Sequence, residues 1–128
     1  MPGAELRRSD ATNSSAGVND VDGGNCVLDS PTWAVSSAST LSVAYFHGQR
    51  DDVGDANGDF FILEYSTNNG ASWNTMASTG DDTSNASWST ATASIPGGSN
   101  VRVRVQCSDG LASGDLIECG IDDVRICN

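Results

Sequence analysis

Val101-Arg102-Val103-Arg104-Val105-Gln106-Cys107 (VRVRVQC) alternates apolar and polar side chains without a break. A period of two is the signature of a strand with one buried and one solvated face. Val101, Val103 and Val105 share the buried face, and Arg102 and Arg104 share the other. Comparable short runs lie on both sides of it. Upstream are Asn25 to Asp29 (NCVLD), Thr40 to His47 (TLSVAYFH), Phe60 to Ser66 (FFILEYS), Trp73 to Ala77 (WNTMA) and Ser87 to Ile95 (SWSTATASI). Downstream are Asp115 to Cys119 and Asp123 to Cys127. Turn clusters separate them: Ser30-Pro31, the acidic Asp51 to Asp59 loop, Gly80 to Asn85, and Pro96-Gly97-Gly98. No segment sustains a helical period.

Seven or eight short strands within 128 residues predict one all-β domain, a two-sheet antiparallel β-sandwich with jelly-roll as the leading topology. The domain is expected over residues 18–128. Residues 1–17 are polar and aperiodic and read as a linker. Met1 to Ser9 (MPGAELRRS) contains no apolar stretch of the kind a secretion signal needs.

Charge narrows the partners. Acidic residues number 17 against 6 basic ones, for a formal net charge of -11. All the basic residues are Arg. Such a chain repels phosphate backbones, so no nucleic acid and no anionic membrane is expected as a partner. No apolar run reaches membrane-spanning length, and no membrane insertion is expected. With a single histidine, His47, sites built on several His ligands are excluded. A Ser-His-Asp triad would have to use that one residue, and no G-x-S-x-G elbow is present. Paired carboxylates for glycoside hydrolysis could be drawn from the Asp clusters, but nothing selects a pair. The chain is expected not to be an enzyme.

The four cysteines are Cys26, Cys107, Cys119 and Cys127. None forms a C-x-x-C pair, which argues against a zinc ribbon. An even count in a Ser/Thr-rich, Lys-free chain reads as two disulfides and an extracellular location. Three connectivities are open. Cys107 and Cys119 flank the Ser108 to Asp115 loop at equal distance from Ser113, so a Cys107–Cys119 bond across a hairpin is the first choice. That leaves Cys26–Cys127 to tie the first strand to the last. Buried free thiols are the alternative, since Cys is also a good core residue.

Ser66-Thr67-Asn68-Asn69-Gly70-Ala71-Ser72-Trp73 fits S-x-[D/N]-x-G-x-x-W. It resembles the Asp box, a hairpin of sialidase propellers and many secreted β-modules. The physics is local: Asn68 bonds its own turn, Gly70 takes positive φ, and Trp73 folds back over the hairpin. The resemblance implies a structural role, and a single copy argues against a propeller.

Carboxylates gather in three places: Asp20 and Asp22; Asp51, Asp52, Asp55, Asn57 and Asp59; and Asp122 and Asp123. Hard oxygen donors in loops suit Ca²⁺, which takes 6–8 of them. Asp55-Ala56-Asn57-Gly58-Asp59 has the D-x-N-x-D start of an EF-hand loop. Phe60 and Ser66 then occupy the positions that need Gly and Glu, so it is no EF-hand. An isolated calcium loop and a solvated acidic turn weigh equally there.

Gly114-Asp115-Leu116-Ile117-Glu118-Cys119-Gly120-Ile121-Asp122-Asp123-Val124 resembles the closing stretch of jelly-roll modules appended to secreted bacterial peptidases and other hydrolases. The I-D-D-V ending is also similar to that of MAM domains. Leu28-Asp29-Ser30-Pro31, Leu63-Glu64-Tyr65-Ser66 and the VRVRV strand agree in order, so the resemblance runs from about Asp20 to Cys127. It implies a non-catalytic accessory module, with a parent catalytic domain in the same precursor. It also implies a structural Ca²⁺ with Asp122 as the leading ligand, Asp20 and Asp22 as partners, and Asp123 as second choice. Cys119, where the related pattern has Ala, departs from it.

The expected function is binding of a polysaccharide by a monomeric, secreted, carbohydrate-binding-type module. The candidate contacts are Trp33, Tyr45, His47, Arg50, Trp88, Arg102 and Arg104. Aromatic rings stack on sugars but equally fill cores. Two guanidiniums on one strand face suit an acidic sugar but equally pair with surface Asp. A protein-interaction or stability module with no glycan site is the competing reading.

Overall fold

A computed structural model describes residues 4–6, 24–50, 58–80, 86–110 and 116–128. Nine strands are present among them: β1 (Ala4–Leu6), β2 (Gly24–Asp29), β3 (Trp33–Val35), β4 (Ser39–Arg50), β5 (Phe60–Ser66), β6 (Asn74–Thr79), β7 (Ser89–Ile95), β8 (Ser99–Asp109) and β9 (Leu116–Cys127). The described residues hold no helix. Three residues of the stretch read as a linker, Ala4–Leu6, pair with β9 as an edge strand.

The strands form two antiparallel sheets. One runs β1-β9-β4-β7 and the other β2-β8-β5-β6, with β3 also paired to β8. Position by position the two orders match strands adjacent in the chain: β1 with β2, β9 with β8, β4 with β5, β7 with β6. The chain therefore crosses between sheets at each of these connections, which is a jelly-roll-like wiring. β2 and β3 lie end to end along one edge of β8, broken at Ser30-Pro31. Ser30 keeps the ladder going through the break. Its N–H donates to the Val103 carbonyl and its hydroxyl accepts from the Val103 N–H, both at 2.8 Å.

The alternation read from VRVRVQC is the pattern of the fold. Val101, Val103, Val105 and Cys107 are buried, together with Leu41 and Val43 of β4, Phe61 and Leu63 of β5, and Ile117, Cys119 and Ile121 of β9. Tyr45 and His47 stack on Phe61 from the facing sheet, at 5.4 and 5.8 Å between ring centroids. This aromatic layer ties β4 to β5 across the core.

Three expectations change. The two closing strands are one, β9, interrupted by a bulge at Asp122-Asp123, where the β4 register shifts between Ser42 and Ala44. Asp123 takes φ of 50° there, a left-handed conformation that Asp tolerates better than most residues. Cys107 and Cys119 are bonded, at 6.5 Å between Cα atoms, but not across a hairpin. β8 and β9 belong to different sheets, so the bond staples the two sheets together. Cys26 and Cys127 are not bonded to each other. Cys26 sits opposite Cys107, whereas Cys127 ends β9, eight residues beyond Cys119. That is roughly 25 Å along the strand, far beyond the reach of a disulfide.

Candidate functional site

The Asp-box-like hairpin forms as its residues dictate. The Ser66 hydroxyl, fully buried, accepts from the N–H groups of Asn68 at 3.2 Å and Gly70 at 2.8 Å and donates to Asn68 Oδ1 at 2.8 Å. Asn68 Oδ1 also accepts from the Ser72 N–H at 2.9 Å, and its amide donates to the Ser72 hydroxyl at 2.7 Å. Gly70 has φ of 86°. A Cβ there would lie 3.3 Å from the Trp73 ring and 3.1 Å from Arg102. The hairpin thus presses Trp73 onto the outer face of β8.

Arg102 and Arg104 are engaged on that face. Arg104 places its guanidinium 4.0 Å from the Trp73 ring centroid and Arg102 stands at 6.0 Å. Both bond Asp29 across the β2–β8 pair: Arg104 Nε at 2.8 Å and Nη2 at 3.2 Å, Arg102 Nη2 at 3.2 Å. The hydrogen bond from Arg104 lowers the Asp29 pKa below its ordinary 3.8 and raises that of Arg104. Two guanidiniums gathered over an indole and sharing one carboxylate form a surface brace. Asp29, which the pairing argument left anonymous, is its centre.

The remaining glycan candidates do not converge. Tyr45 is packed against the core beneath the sheet, and His47 is 6% exposed with Nδ1 3.0 Å from the Thr79 hydroxyl. His47 is thus a core residue of the sandwich, not the member of an open cleft. Trp33 packs against the core and lines an open depression of about 300 Å³ with Val35, Ser39 and Ile126. Arg50 ends β4 opposite Leu116, and its side chain lies outside the described residues.

Trp88 differs from all of these. It is 54% exposed, and its ring meets Phe46 edge-on at 4.9 Å between centroids. Phe46 points outward from β4 and lies over Gly120 of β9, where a Cβ would meet the ring at 2.6 Å. Gly48, next on the same face, leaves room for Ala86, which a Cβ there would meet at 2.7 Å. Glu118, opposite Gly48 in the β4–β9 register, shares this outer face. Two glycines therefore open the surface of the β1-β9-β4-β7 sheet, and a pair of aromatic rings occupies it. Sequence reasoning named Trp88 but missed Phe46 and Glu118. The outward register of Phe46 was hidden because TLSVAYFH carries apolar residues on both faces.

The acidic candidates are also dispersed. Asp20, Asp22, Asp55 and Asn57 lie outside the described residues. Asp59 is 1% exposed and accepts from Gln49 Nε2 at 3.0 Å and the Gly110 N–H at 2.6 Å. Asp122 and Asp123 are exposed at the bulge. Asp122 accepts from the Asp123 N–H at 2.7 Å, and Asp123 pairs with Arg125. Gln49, which holds Asp59, pairs with Ile117, so Asp122 stands about five residues, roughly 16 Å, further along β9. Asp59 and Asp122 thus do not belong to one site. Among the described residues no group of three or more His, Cys, Asp or Glu comes together to hold a metal.

No family model matches the chain, and no curated protein matches it. Solved structures do. One is the K1 cleaved adhesin domain of Lys-gingipain from Porphyromonas gingivalis W83, with a TM-score of 0.52 and 15% identity over 87% of this chain and 67% of that one. Another is the K3 cleaved adhesin domain of the same protein, with a TM-score of 0.48 and 15% identity over 80% of this chain. The chain spans 63% of the K3 domain's length. At 15% identity the likeness is one of fold: this chain shares the β-sandwich architecture of the K1 adhesin domain.

Proposed function

We propose that this chain is a non-catalytic binding module of a secreted protein, and that its ligand is a neutral polysaccharide. The observation that carries the reading is Trp88. It alone among the three tryptophans is largely exposed, and it is braced from the side by Phe46. An exposed, immobilised indole gives a flat apolar face for a sugar ring at little entropic cost. Glu118 on the same sheet face supplies an acceptor for sugar hydroxyls. The net charge of -11 disfavours polyanionic glycans, and the arginines that would grip them are committed to Asp29 and Trp73.

Other parts of the reading rest on weaker supports. The disulfide between the sheets suits an oxidising compartment. The sequence resemblance to modules of secreted peptidases supports an accessory module made alongside a catalytic domain, and the likeness in fold to a cleaved adhesin domain of Lys-gingipain agrees with it. Structural calcium belongs to the same proposal, with Asp122 as the leading ligand that the resemblance implies, Asp20, Asp22 and Asp123 beside it, and Asp55, Asn57 and Asp59 as an alternative loop site.

The test is a screen of the folded, calcium-loaded chain against neutral and acidic polysaccharides by affinity electrophoresis. Saturable binding to a neutral glycan, lost in Trp88→Ala without change in melting temperature, is the expected result. Silence across the panel by a folded protein replaces this reading with a protein-interaction module.

A further inference from the structure

Three of the four cysteines lie together. Cys107 and Cys119 form the bond between the sheets and are fully buried. Cys26 is a free thiol on β2, directly opposite Cys107 in the β2–β8 register. Directly opposed residues of antiparallel strands point to the same face, and Cys26 packs against the core cluster that contains Cys107 and Cys119. Opposed Cα atoms in such a pair stand about 4.5–5.5 Å apart, within the span that a disulfide bridges. A free thiol therefore shares a face with a disulfide, and its Cα stands within the separation that a bridge to the nearer cysteine spans.

We propose that Cys26 and the Cys107–Cys119 bond form an intramolecular thiol–disulfide exchange site. The Cys26 thiolate attacks Cys107 Sγ, and the Cys107–Cys119 bond breaks. Cys119 leaves as a thiolate and takes up the proton that Cys26 gave up. One S–S bond forms as one breaks, and neither an oxidant nor a reductant is consumed. The products differ mechanically. Cys107–Cys119 joins β8 to β9 across the sandwich, whereas Cys26–Cys107 joins β2 to β8 within one sheet. Exchange unstaples the two sheets at the end where β8 stops and β9 starts. Cys127 ends β9 far from this cluster and takes no part.

The chain provides its own assay, because cleavage before Asp residues puts the four cysteines on separate peptides: 22–28, 82–108, 115–121 and 123–128. The folded Cys127→Ser protein is incubated with N-ethylmaleimide and digested without reduction. The expected result is label on Cys119 as well as on Cys26, with a Cys26–Cys107 linked peptide growing in step with the Cys119 label. The Cys26→Ser/Cys127→Ser protein is expected to show at least tenfold less label on Cys119. Label confined to Cys26 overturns the proposal, as does equal Cys119 labelling with and without Cys26. Cys119→Ala/Cys127→Ser provides a second route. Treated with oxidised glutathione while folded, it is expected to close a Cys26–Cys107 bond, and two thiols left open or capped by glutathione count against the site.

Discussion

Arg104 lies over Trp73, 4.0 Å from guanidinium carbon to ring centroid, while its Nε bonds Asp29 at 2.8 Å. One cation thus ties the Asp-box-like hairpin to β2 across the outer face of β8. The hairpin and the VRVRVQC strand, separate motifs in the sequence, are one structural unit.

Asp29 gives this unit a pH dependence. Its native pKa is lowered by the Arg104 hydrogen bond, so its stabilising contribution is complete above the unfolded-state value. It fades as pH falls below 3.8 through the lower native value. Asp29→Asn is expected to lose about 1 kcal/mol at pH 7, in the upper range for a partly exposed pair. The gap between variant and parent should narrow in urea titrations as pH falls below 3.8 and through the lower native value, since the parent then loses the same interaction.

Ser66→Ala removes the buried acceptor for two backbone N–H groups. Leaving such donors unsatisfied costs about 1–3 kcal/mol. Urea denaturation should show that loss, and Trp73 fluorescence should shift as the hairpin loosens. Ser72→Ala is the control: Ser72 is exposed, and the substitution keeps the backbone bond to Asn68, so less than about 0.5 kcal/mol is expected.

Gly120→Ala places a methyl group 2.6 Å from the Phe46 ring. Phe46 must move, and Trp88 moves with it. A stability loss of about 1–3 kcal/mol is expected from the overpacking. If Trp88 is the glycan platform, affinity should also fall in the variant. Trp88→Ala should do the reverse, leaving stability nearly unchanged and removing binding, as isothermal titration would show.

Loss of the staple is a further test. Cys119→Ala leaves the sheets joined only by packing. Closing a loop of this length stabilises a fold by about 2–3 kcal/mol in the chain-entropy account. Thermal melting of Cys26→Ser/Cys119→Ala against Cys26→Ser, both without reductant and neither able to close a Cys26–Cys107 bond, should show a lower midpoint corresponding to that loss.

Calcium, if bound only by the folded chain, raises the melting temperature according to its concentration over Kd. A chelator should therefore lower the midpoint. The bulge carboxylates are exposed and one is already paired with Arg125, so Asp122→Ala separates two sites. If the chelator effect survives in that variant, the metal lies elsewhere. If it disappears, Asp122 is a ligand as the resemblance implies.

Local pattern determined a large part of this protein. Strict alternation in VRVRVQC and the run FFILEYS fixed β8 and β5, because a period of two depends only on neighbours along one strand. The eight residues from Ser66 to Trp73 fixed their own turn through the bonds of Ser66 and Asn68 within the motif, and Asn100 and Thr32 then dock it from outside. The symmetry of Cys107 and Cys119 about Ser113 pointed to the right pair, but through a hairpin that β8 and β9 do not form. Which sheet each strand joins was decided only in three dimensions. The disulfide links two sheets instead of two hairpin strands because β8 and β9 occupy matching places in opposite layers. The Asp122-Asp123 break is a bulge within one strand because β4 runs on past it as a partner. Arg102 and Arg104 are braced because Asp29 and Trp73, distant in the chain, meet over β8. Trp88 is exposed and Trp73 is not, though both lie beside strands in similar Ser-rich surroundings. Exposure depends on which face of which layer a residue meets, and no contact along the chain encodes that.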